Sequence, residues 1–519
     1  MPKDYKSAKI RTLTILLGSG DLKIMPTHSR HKRHHKSSSR SYSRFSTQTI
    51  VNSVLLVLFA LLAGIAIYLM YANNILAFRH LNIIYTVLLV AVFLISLVLT
   101  IRKKGKTVVS ILLVVFSIVA AISLFAFKSL VDVASDMNKS ASYSEIEMSV
   151  VVPADSSISD VTELSSVQAP TNADGSNIDA LISQIKSDKG VDLATETVDS
   201  YQAAYENLIN GSSQAMVLNS AYSSLLELSY DDYESNLKTI YTYKIKKNTS
   251  SEASSSDKNV FNIYISGIDT YGSISTVSRS DVNIILTVNM NTHKILMTTT
   301  PRDSYVKIPD GGADQYDKLT HAGIYGVETS EKTLENLYGI DIDYYARINF
   351  TSFMNLIDAI GGVTVYNDQA FTSYTNSNYS FEVGNVNLSS GEEALAFVRE
   401  RYSLSNGDYD RGNNQIKVVQ AIVNKLTSLN SVSNYSSIIS TLTDSIQTNM
   451  SLDTMMDLVN TQLDSGKKFT ITSQEVTGTG STGELTSYAM PTASLYMIQL
   501  DDASVSSASQ AIKDVMEGK

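Results

Sequence analysis

Residues 395–415, LAFVRERYSLSNGDYDRGNNQ, pack three arginines, a GDYD turn and a glutamine into one short piece of chain. Arg399 and Arg401 follow an apolar run, whereas Arg411 and Gln415 follow the break at Gly407 and Asp408. If the chain extends after the apolar run, Arg399 and Arg401 share a face, because side chains alternate along a strand. A helix over 410–429 puts Arg411 and Gln415 on one face near its start. Free N–H groups and the helix dipole favour anions there. Guanidinium groups grip phosphate oxygens in pairs and stay charged, so this pattern suits a pyrophosphate. The competing reading is a solvated salt-bridge network.

A second set of charged residues lies upstream. Residues 260–269, VFNIYISGID, are apolar at both parities, which marks a strand buried on both faces and ending near Asp269. A second strand starts just after Asp281, and a third, 294–301, is followed at once by Arg302 and Asp303. If Asn291 and Thr292 close a hairpin, Asp281 and Arg302 are symmetric about it and face each other across its open end. A first strand parallel to the third brings Asp269 to the same edge. Asp269, Arg279, Asp281 and Arg302 are therefore expected to converge, although each alone reads as a polar loop residue. Two aspartates beside phosphate call for a bridging divalent cation, Mg²⁺ or Mn²⁺, since such ions use one or two carboxylates plus phosphate oxygens. The implied chemistry is phosphoryl transfer, with a carboxylate taking the proton of an attacking hydroxyl. Lys318 is expected to face this site, and His321 to be packed or hydrogen-bonded rather than a ligand.

The intervening elements follow from caps and breaks. Residues 329–340 read as a helix with N-cap residues at its start and a glycine near its end. Residues 351–367 read as a helix, a Gly-Gly stop and a strand. Ser389 and Ser390 would cap a short helix over 391–397, with Glu392 and Glu393 in its first turn.

The chain of 519 residues has a net charge of −10, no cysteine, and a basic first 49 residues. Absence of cysteine excludes disulfides, Cys-ligated zinc and thiol catalysis. Three uncharged apolar runs, 50–72, 81–101 and 107–127, are each long enough to cross a bilayer. Lys and Arg concentrate in the tail and in RKKGK at 102–106, so the N-terminus is expected in the cytoplasm and everything after the third span outside. The basic tail reads as a contact to anionic lipid rather than a nucleic-acid arm. Met25 stands as an alternative start. The expected organisation is a tail (1–49), three transmembrane helices (50–128), an α/β accessory module (129–247), a Ser-rich linker (248–258) and a second α/β module (259–519). The accessory module lacks clustered catalytic residue types and reads as a spacer or interaction domain.

In combination, SGID, SRSDVNIILTVN, TTPRDSYVKIP, KLTHAGIYG, GGVTV, GEEALAFVRER and GDYDRGNNQ resemble the LytR-CpsA-Psr family, over about residues 259–425. The three spans and accessory module resemble its streptococcal capsule branch. The resemblance implies a mixed β-sheet flanked by helices, with an apolar tunnel for a polyprenyl tail. It implies a phosphotransferase that moves a polyprenyl-pyrophosphate-linked capsular or exocellular polysaccharide to peptidoglycan, with pyrophosphate hydrolysis as a side activity. By motif, Asp269 and Asp281 would hold the metal, and either would serve as base. Arg302, Arg399, Arg401, Arg411 and Gln415 would hold the pyrophosphate, with Arg279 and Lys318 beside them. Apolar positions on 351–360, with Ile416, Val419 and Val423, are the expected tunnel wall. Other polysaccharide-export proteins are expected partners. The rival reading is a non-catalytic membrane regulator of polysaccharide synthesis. An ATP-dependent kinase is excluded by the absence of a P-loop.

Overall fold

The computed structural model describes residues 46–230, 232–249, 259–270, 274–428 and 446–519. The basic tail and most of the Ser-rich linker lie outside the described residues. Residues Gln48–Lys519 form one compact unit.

Helices α1 (Thr47–Ala72), α2 (Leu81–Ile101) and α3 (Lys106–Ala141) are long and apolar enough to cross a membrane. They pack through Phe59, Leu89 and Leu113, and leave Val54, Leu61, Ile111 and Phe125 exposed. Helices apolar on every side need an apolar surround on their outer faces too. Helix α3 continues past its apolar stretch and leads into the first strand.

The first soluble module alternates strands and helices. Its elements are β1 (Tyr143–Pro153), β2 (Ser166–Ala169), α4 (Thr171–Lys189), β3 (Ala194–Thr197), α5 (Tyr201–Ile209), β4 (Met216–Asn219), α6 (Ser223–Glu227) and β5 (Leu237–Asn248). The strand order is β3-β2-β4-β1-β5. Its core includes Met148, Val150, Leu181, Tyr201 and Tyr205, and also takes in Val277, Ile324, Ala489 and Met490. Those four come from the far side of the expected boundary at residue 259, so the two modules share buried apolar surface.

The second module is built on β6 (Val260–Ile268), β7 (Ser280–Asn289) and β8 (Lys294–Thr299). Next come β9 (Tyr305–Ile308), β10 (Gln315–Lys318), α7 (Leu319–Ala322) and α8 (Val327–Tyr338). After them run β11 (Tyr344–Ile348), α9 (Phe350–Ala359), β12 (Val363–Asn367), β13 (Phe371–Thr372), β14 (Ser380–Phe381) and β15 (Gly384–Leu388). Then come α10 (Gly391–Arg399), α11 (Asp408–Ser428), β16 (Gln447–Thr448), α12 (Leu452–Ser465) and β17 (Thr470–Glu475). The chain closes with β18 (Gly478–Thr482), β19 (Tyr496–Leu500) and α13 (Asp502–Met516).

The central sheet has the order β16-β11-β6-β7-β8-β17. It is mixed: β6, β7 and β8 are antiparallel neighbours, whereas β11 and β17 add in parallel to β6 and β8. Pairing of Ile284 with Thr299 sets the β7–β8 register that the sequence symmetry about Asn291 and Thr292 requires. Helix α11 lies between two apolar clusters. Val418 and Ile422 join α9 and α10, while Ile416 and Val419 meet the sheet.

Three local expectations are corrected. Helix α10 runs to Arg399, so Arg399 and Arg401 do not share a strand face. Its Ser390 cap and first-turn glutamates are as expected, and the apolar face of Ala394, Leu395, Phe397 and Val398 carries the helix on by packing. Helix α8 starts at Val327, and the proposed caps Thr329 and Ser330 are buried within it. Helix α11 starts at Asp408, so Arg411 stands in its first turn.

Two close approaches hold the sheet edge. A Cβ on Gly267 would lie 2.6 Å from Val282 Cγ2, and the β6–β7 register shifts just beyond it, between Gly267 and Ile268. Such a bulge re-aims the chain and carries Asp269 toward the loop before β7. Gly323, after α7, abuts that loop: its Cβ would lie 2.5 Å from the Ser278 carbonyl oxygen and 2.6 Å from the Ser280 nitrogen. Backbone cannot yield as a side-chain tip does, so Gly323→Ala should lower stability by about 1–3 kcal/mol. Thermal unfolding of the purified variant measures this, and an unchanged Tm would show that the loop is not clamped there.

Candidate functional site

The site lies where β6, β7 and β8 end together. Beneath it is a buried polar floor. Tyr264 Oη hydrogen-bonds Asn283 Oδ1 at 2.7 Å and pairs with Ser280 Oγ at 2.8 Å, and Asn283 Nδ2 donates to the Ser280 carbonyl at 3.0 Å. Arg347 of β11 is buried and donates to the carbonyls of Ile274 (3.2 Å) and Thr276 (2.9 Å). It thereby ties down the segment leading to Arg279. Burial depresses the Arg347 guanidinium to about 10, yet it remains charged at neutral pH.

Four aspartates and five cations interlock on this floor. Asp269 accepts from Arg279, with Nε at 2.9 Å, and from Ser278 Oγ at 2.6 Å. Asp281 pairs with Arg302 across the hairpin mouth and accepts from Thr320 Oγ1 at 3.3 Å. Asp303, fully buried, meets Lys318, Arg302 Nε (3.5 Å) and Arg401 Nη2 (3.3 Å). Asp408 pairs with Arg411 in the first turn of α11. Arg399 stands apart from these pairs, its guanidinium 4.2 Å from the centre of the Phe350 ring on α9. Gln415 Nε2 donates to the Val398 carbonyl at 3.3 Å and so braces α11 against α10.

The electrostatics place Arg302 at the centre. Burial alone would lower its basicity, but Asp281, Asp303, Asp408 and Asp269 together raise it. Burial pushes the Asp281 carboxyl up, and Arg302, Arg279 and Arg411 overcome this and hold it at about 2. Asp303 is held well below the usual range in the same way, by Arg302, Lys318 and Arg401 against its burial. Lys318 is lowered by burial and by Arg302 and Arg401, with Asp303 opposing. With Arg399 included, cationic side chains outnumber the aspartates of this site. A surplus of buried positive charge suits an anion of more than one charge.

His321 is buried, with Nδ1 2.8 Å from Asp317 Oδ1, and is a packed and hydrogen-bonded residue as expected. Asp303 and Asp408 join the expected residues, and their signal in the sequence is adjacency: Asp303 follows Arg302, and Asp408 lies three residues before Arg411. Glu475 carries no local signal at all: pairing of β17 with β8 sets it opposite Thr299. A Cβ on Gly412 of α11 would lie 2.9 Å from Glu475 Oε1, which is buried without a hydrogen-bond partner. Burial, then Asp408 and Asp410, push Glu475 up to about 8, so it is neutral at pH 7 and does not oppose an anion.

The donor set fits a divalent ion in part. Among the described residues no group of three His, Cys, Asp or Glu side chains is arranged to hold a metal. Asp269 and Asp281 supply two carboxylates, each engaged by a guanidinium, and Mg²⁺ is held elsewhere by one or two carboxylates with phosphate and water.

The LytR_cpsA_psr family model matches residues 228–503, more than half of the chain. A second model, DNA polymerase processivity factor, matches residues 103–218, a span running from the third apolar helix into the first module. Among curated relatives, the polyisoprenyl-teichoic acid–peptidoglycan teichoic acid transferase TagU of Oceanobacillus iheyensis is 36% identical over 233 residues, 44% of this chain and 69% of the relative. The protein of the same name from Enterococcus faecalis is 38% identical over 218 residues, 41% of this chain and 70% of the relative. Among solved structures, B. subtilis TagU is 29% identical, covering 50% of this chain and 98% of that one, with a TM-score of 0.39. A structure of TagT bound to LI-WTA is 26% identical, covering 52% and 96%, with a TM-score of 0.41. These two scores add nothing to the topology described above.

Glu475 has a testable consequence. Its folded pKa lies above that of an unfolded glutamate, about 4.3. Between the two values the native state binds a proton that the unfolded state has lost. Its contribution to stability is therefore present below about pH 4.3 and is lost as pH rises toward about 8. Denaturant unfolding across this range should show Glu475→Gln removing that downward slope, and an unaltered slope would contradict the assignment.

Proposed function

The chain belongs to the LytR-CpsA-Psr family, and from this we propose that it is a membrane-anchored phosphotransferase. In this reading it moves a polyprenyl-pyrophosphate-linked capsular or exocellular polysaccharide onto peptidoglycan. The observation that carries the reading is the buried Arg302, set among four aspartates at one sheet edge with Lys318, Arg401 and Arg411 around it. Relatives named as teichoic acid transferases to peptidoglycan support the same reaction class.

The pyrophosphate competes with the aspartates for the guanidinium groups. Arg302, Arg401 and Arg411 turn toward phosphate oxygens, and Arg279 and Lys318 add charge beside them. Arg399 and Gln415 guard the α10–α11 side. Positioning and charge neutralisation are the main work in phosphoryl transfer. An acceptor hydroxyl oxygen attacks the phosphorus that carries the glycan. The bond from that phosphorus to the bridging oxygen breaks, and polyprenyl phosphate leaves with the electron pair. The hydroxyl proton passes to Asp269 or Asp281. Asp281 is a weak base while Arg302 holds it, and becomes stronger once phosphate draws that charge away. Asp269 and Asp281 would hold Mg²⁺ or Mn²⁺, which would supply charge neutralisation at the phosphate oxygens.

A cytoplasmic N-terminus and external modules fit this substrate, which is carried on a membrane lipid. Three crossings also put the α1–α2 loop on the same side as the modules. Asn74 Nδ2 donates to Asp457 Oδ1 on α12 at 3.1 Å, and Asn460 Nδ2 donates to the Asn74 carbonyl at 2.7 Å. These two bonds between the loop and the second module support the three crossings of this reading.

In a strain lacking paralogues, Arg302→Ala should reduce wall-attached polysaccharide by about 10²–10³-fold, the usual effect of removing one transition-state donor, and Asp281→Ala by about 10²–10⁴-fold, the usual effect of removing a general base. Released polymer should rise correspondingly. Undiminished attachment in both variants sinks the transferase reading. Chelation of divalent ions should stop transfer by the purified chain, and retained transfer would remove the metal from it.

A further inference from the structure

Beside the cradle, a row of aromatic rings is exposed. Tyr374 and Tyr402 are in contact, with ring centres 5.0 Å apart and planes tilted by 57°, and their relative exposures are 72% and 74%. The Arg401 guanidinium lies 5.9 Å from the Tyr402 ring centre and 5.7 Å from that of Tyr496 on β19. The same guanidinium reaches Asp303 in the cradle at 3.3 Å. The row Tyr496, Arg401, Tyr402, Tyr374 is therefore continuous with the charged site and leads away from it.

Packing does not account for the Tyr374–Tyr402 pair. Rings this exposed bury little area and stabilise their loop only weakly. The backbone beneath is already held by the fully buried Glu400. Its carboxylate accepts from the N–H groups of Tyr374 (2.5 Å), Ser403 (2.8 Å) and Arg401 (3.0 Å). Glu400 thus fixes two loops together and presents both rings on a firm base. Room for Tyr496 is likewise built in, since a Cβ on Gly480 would meet its ring. Rigid tyrosines with an arginine between them are a recognition surface of low entropic cost.

On the transferase reading, we infer that this row binds the sugar chain of the acceptor, a peptidoglycan glycan strand. Pyranose rings offer flat C–H faces to aromatic rings and hydroxyl groups to Tyr Oη and Arg401. A row of several rings suits a polymer rather than a single sugar. Arg401 joins that row to Asp303, so a strand lying along it delivers a hydroxyl to the phosphate. The donor, by contrast, is gripped through its pyrophosphate by the buried pairs.

The test uses the full chain in detergent micelles, uncrosslinked peptidoglycan glycan strands as one probe and a short-chain polyprenyl-pyrophosphate sugar as the other. Both are titrated separately, without turnover. Replacing Tyr374→Ala and Tyr402→Ala together should weaken glycan binding about tenfold or more, equivalent to about 1.4 kcal/mol. Donor binding and Tm should hold. Tyr374→Phe with Tyr402→Phe should retain most of the affinity, and Tyr402→Ala alone serves if the double variant folds poorly. Unchanged glycan affinity overturns the inference, as does an equal loss of donor affinity or an absence of glycan binding by the parent chain. Row-dependent glycan binding alongside undiminished wall attachment in Arg302→Ala would leave the row standing and remove the transferase reading.

Discussion

The Arg302 guanidinium is buried, and a lone buried charge is strongly unfavourable unless partners surround it. Asp281 and Asp303 touch it, and Asp269 and Asp408 add their fields. Those partners come from three places: the end of β6, the mouth of the β7–β8 hairpin and the first turn of α11. All must be in register for Arg302 to be tolerated. The bulge after Gly267, the clamp at Gly323 and the polar floor of Tyr264, Ser280 and Asn283 maintain that register. The network is a set of interlocking ion pairs. In the proposed function a pyrophosphate replaces carboxylates as the partner of these guanidinium groups, and cations that outnumber the aspartates make the site receptive to it.

The shared apolar surface between the modules bears on the same site. Val277 and Ile324 flank Arg279 and Gly323 in the chain, and both pack into the core of the first module. That module therefore backs the loop carrying Arg279 rather than acting only as a spacer. On the other side, α12 receives the α1–α2 loop, and Asn138 near the end of α3 donates to the carbonyls of Thr448 and Met450, both at 2.9 Å. The apolar helices are thus joined to the second module by hydrogen bonds as well as by chain connection, which fixes the cradle relative to the anchor.

Much of the site was legible because it obeys local rules. Hairpin symmetry placed Asp281 opposite Arg302 from residue counting, and a first strand running in the same direction as the third placed Asp269 at the same edge. The break at Gly407 and Asp408 located Arg411 near a helix start, although α11 begins two residues before the expected 410. Period-two reasoning failed for Arg399 and Arg401. Helix α10 extends to Arg399 because its buried face continues through Val398, and the two arginines part, one to Phe350 and the other to Asp303. Val418 and Ile422 show a similar limit. An amphipathic pattern marks the apolar side of α11, but Ile416 and Val419 face the sheet while Val418 and Ile422 face α9 and α10.

The sequence by itself determined the three apolar spans, the two α/β modules, the hairpin register and the identity of most charged residues. These rest on periodicity, length and turn chemistry, which act between near neighbours. Beyond the Asp281–Arg302 pair, tertiary structure alone decided which charges meet. Asp303 became the partner of Lys318 and Arg401, Glu475 came under α11 through the β17–β8 pairing, and Glu400 joined two loops so that the Tyr374 and Tyr402 rings meet. Each depends on contacts between segments 15 to about 175 residues apart. Such contacts are selected by packing of the whole core and leave no periodic trace in the chain.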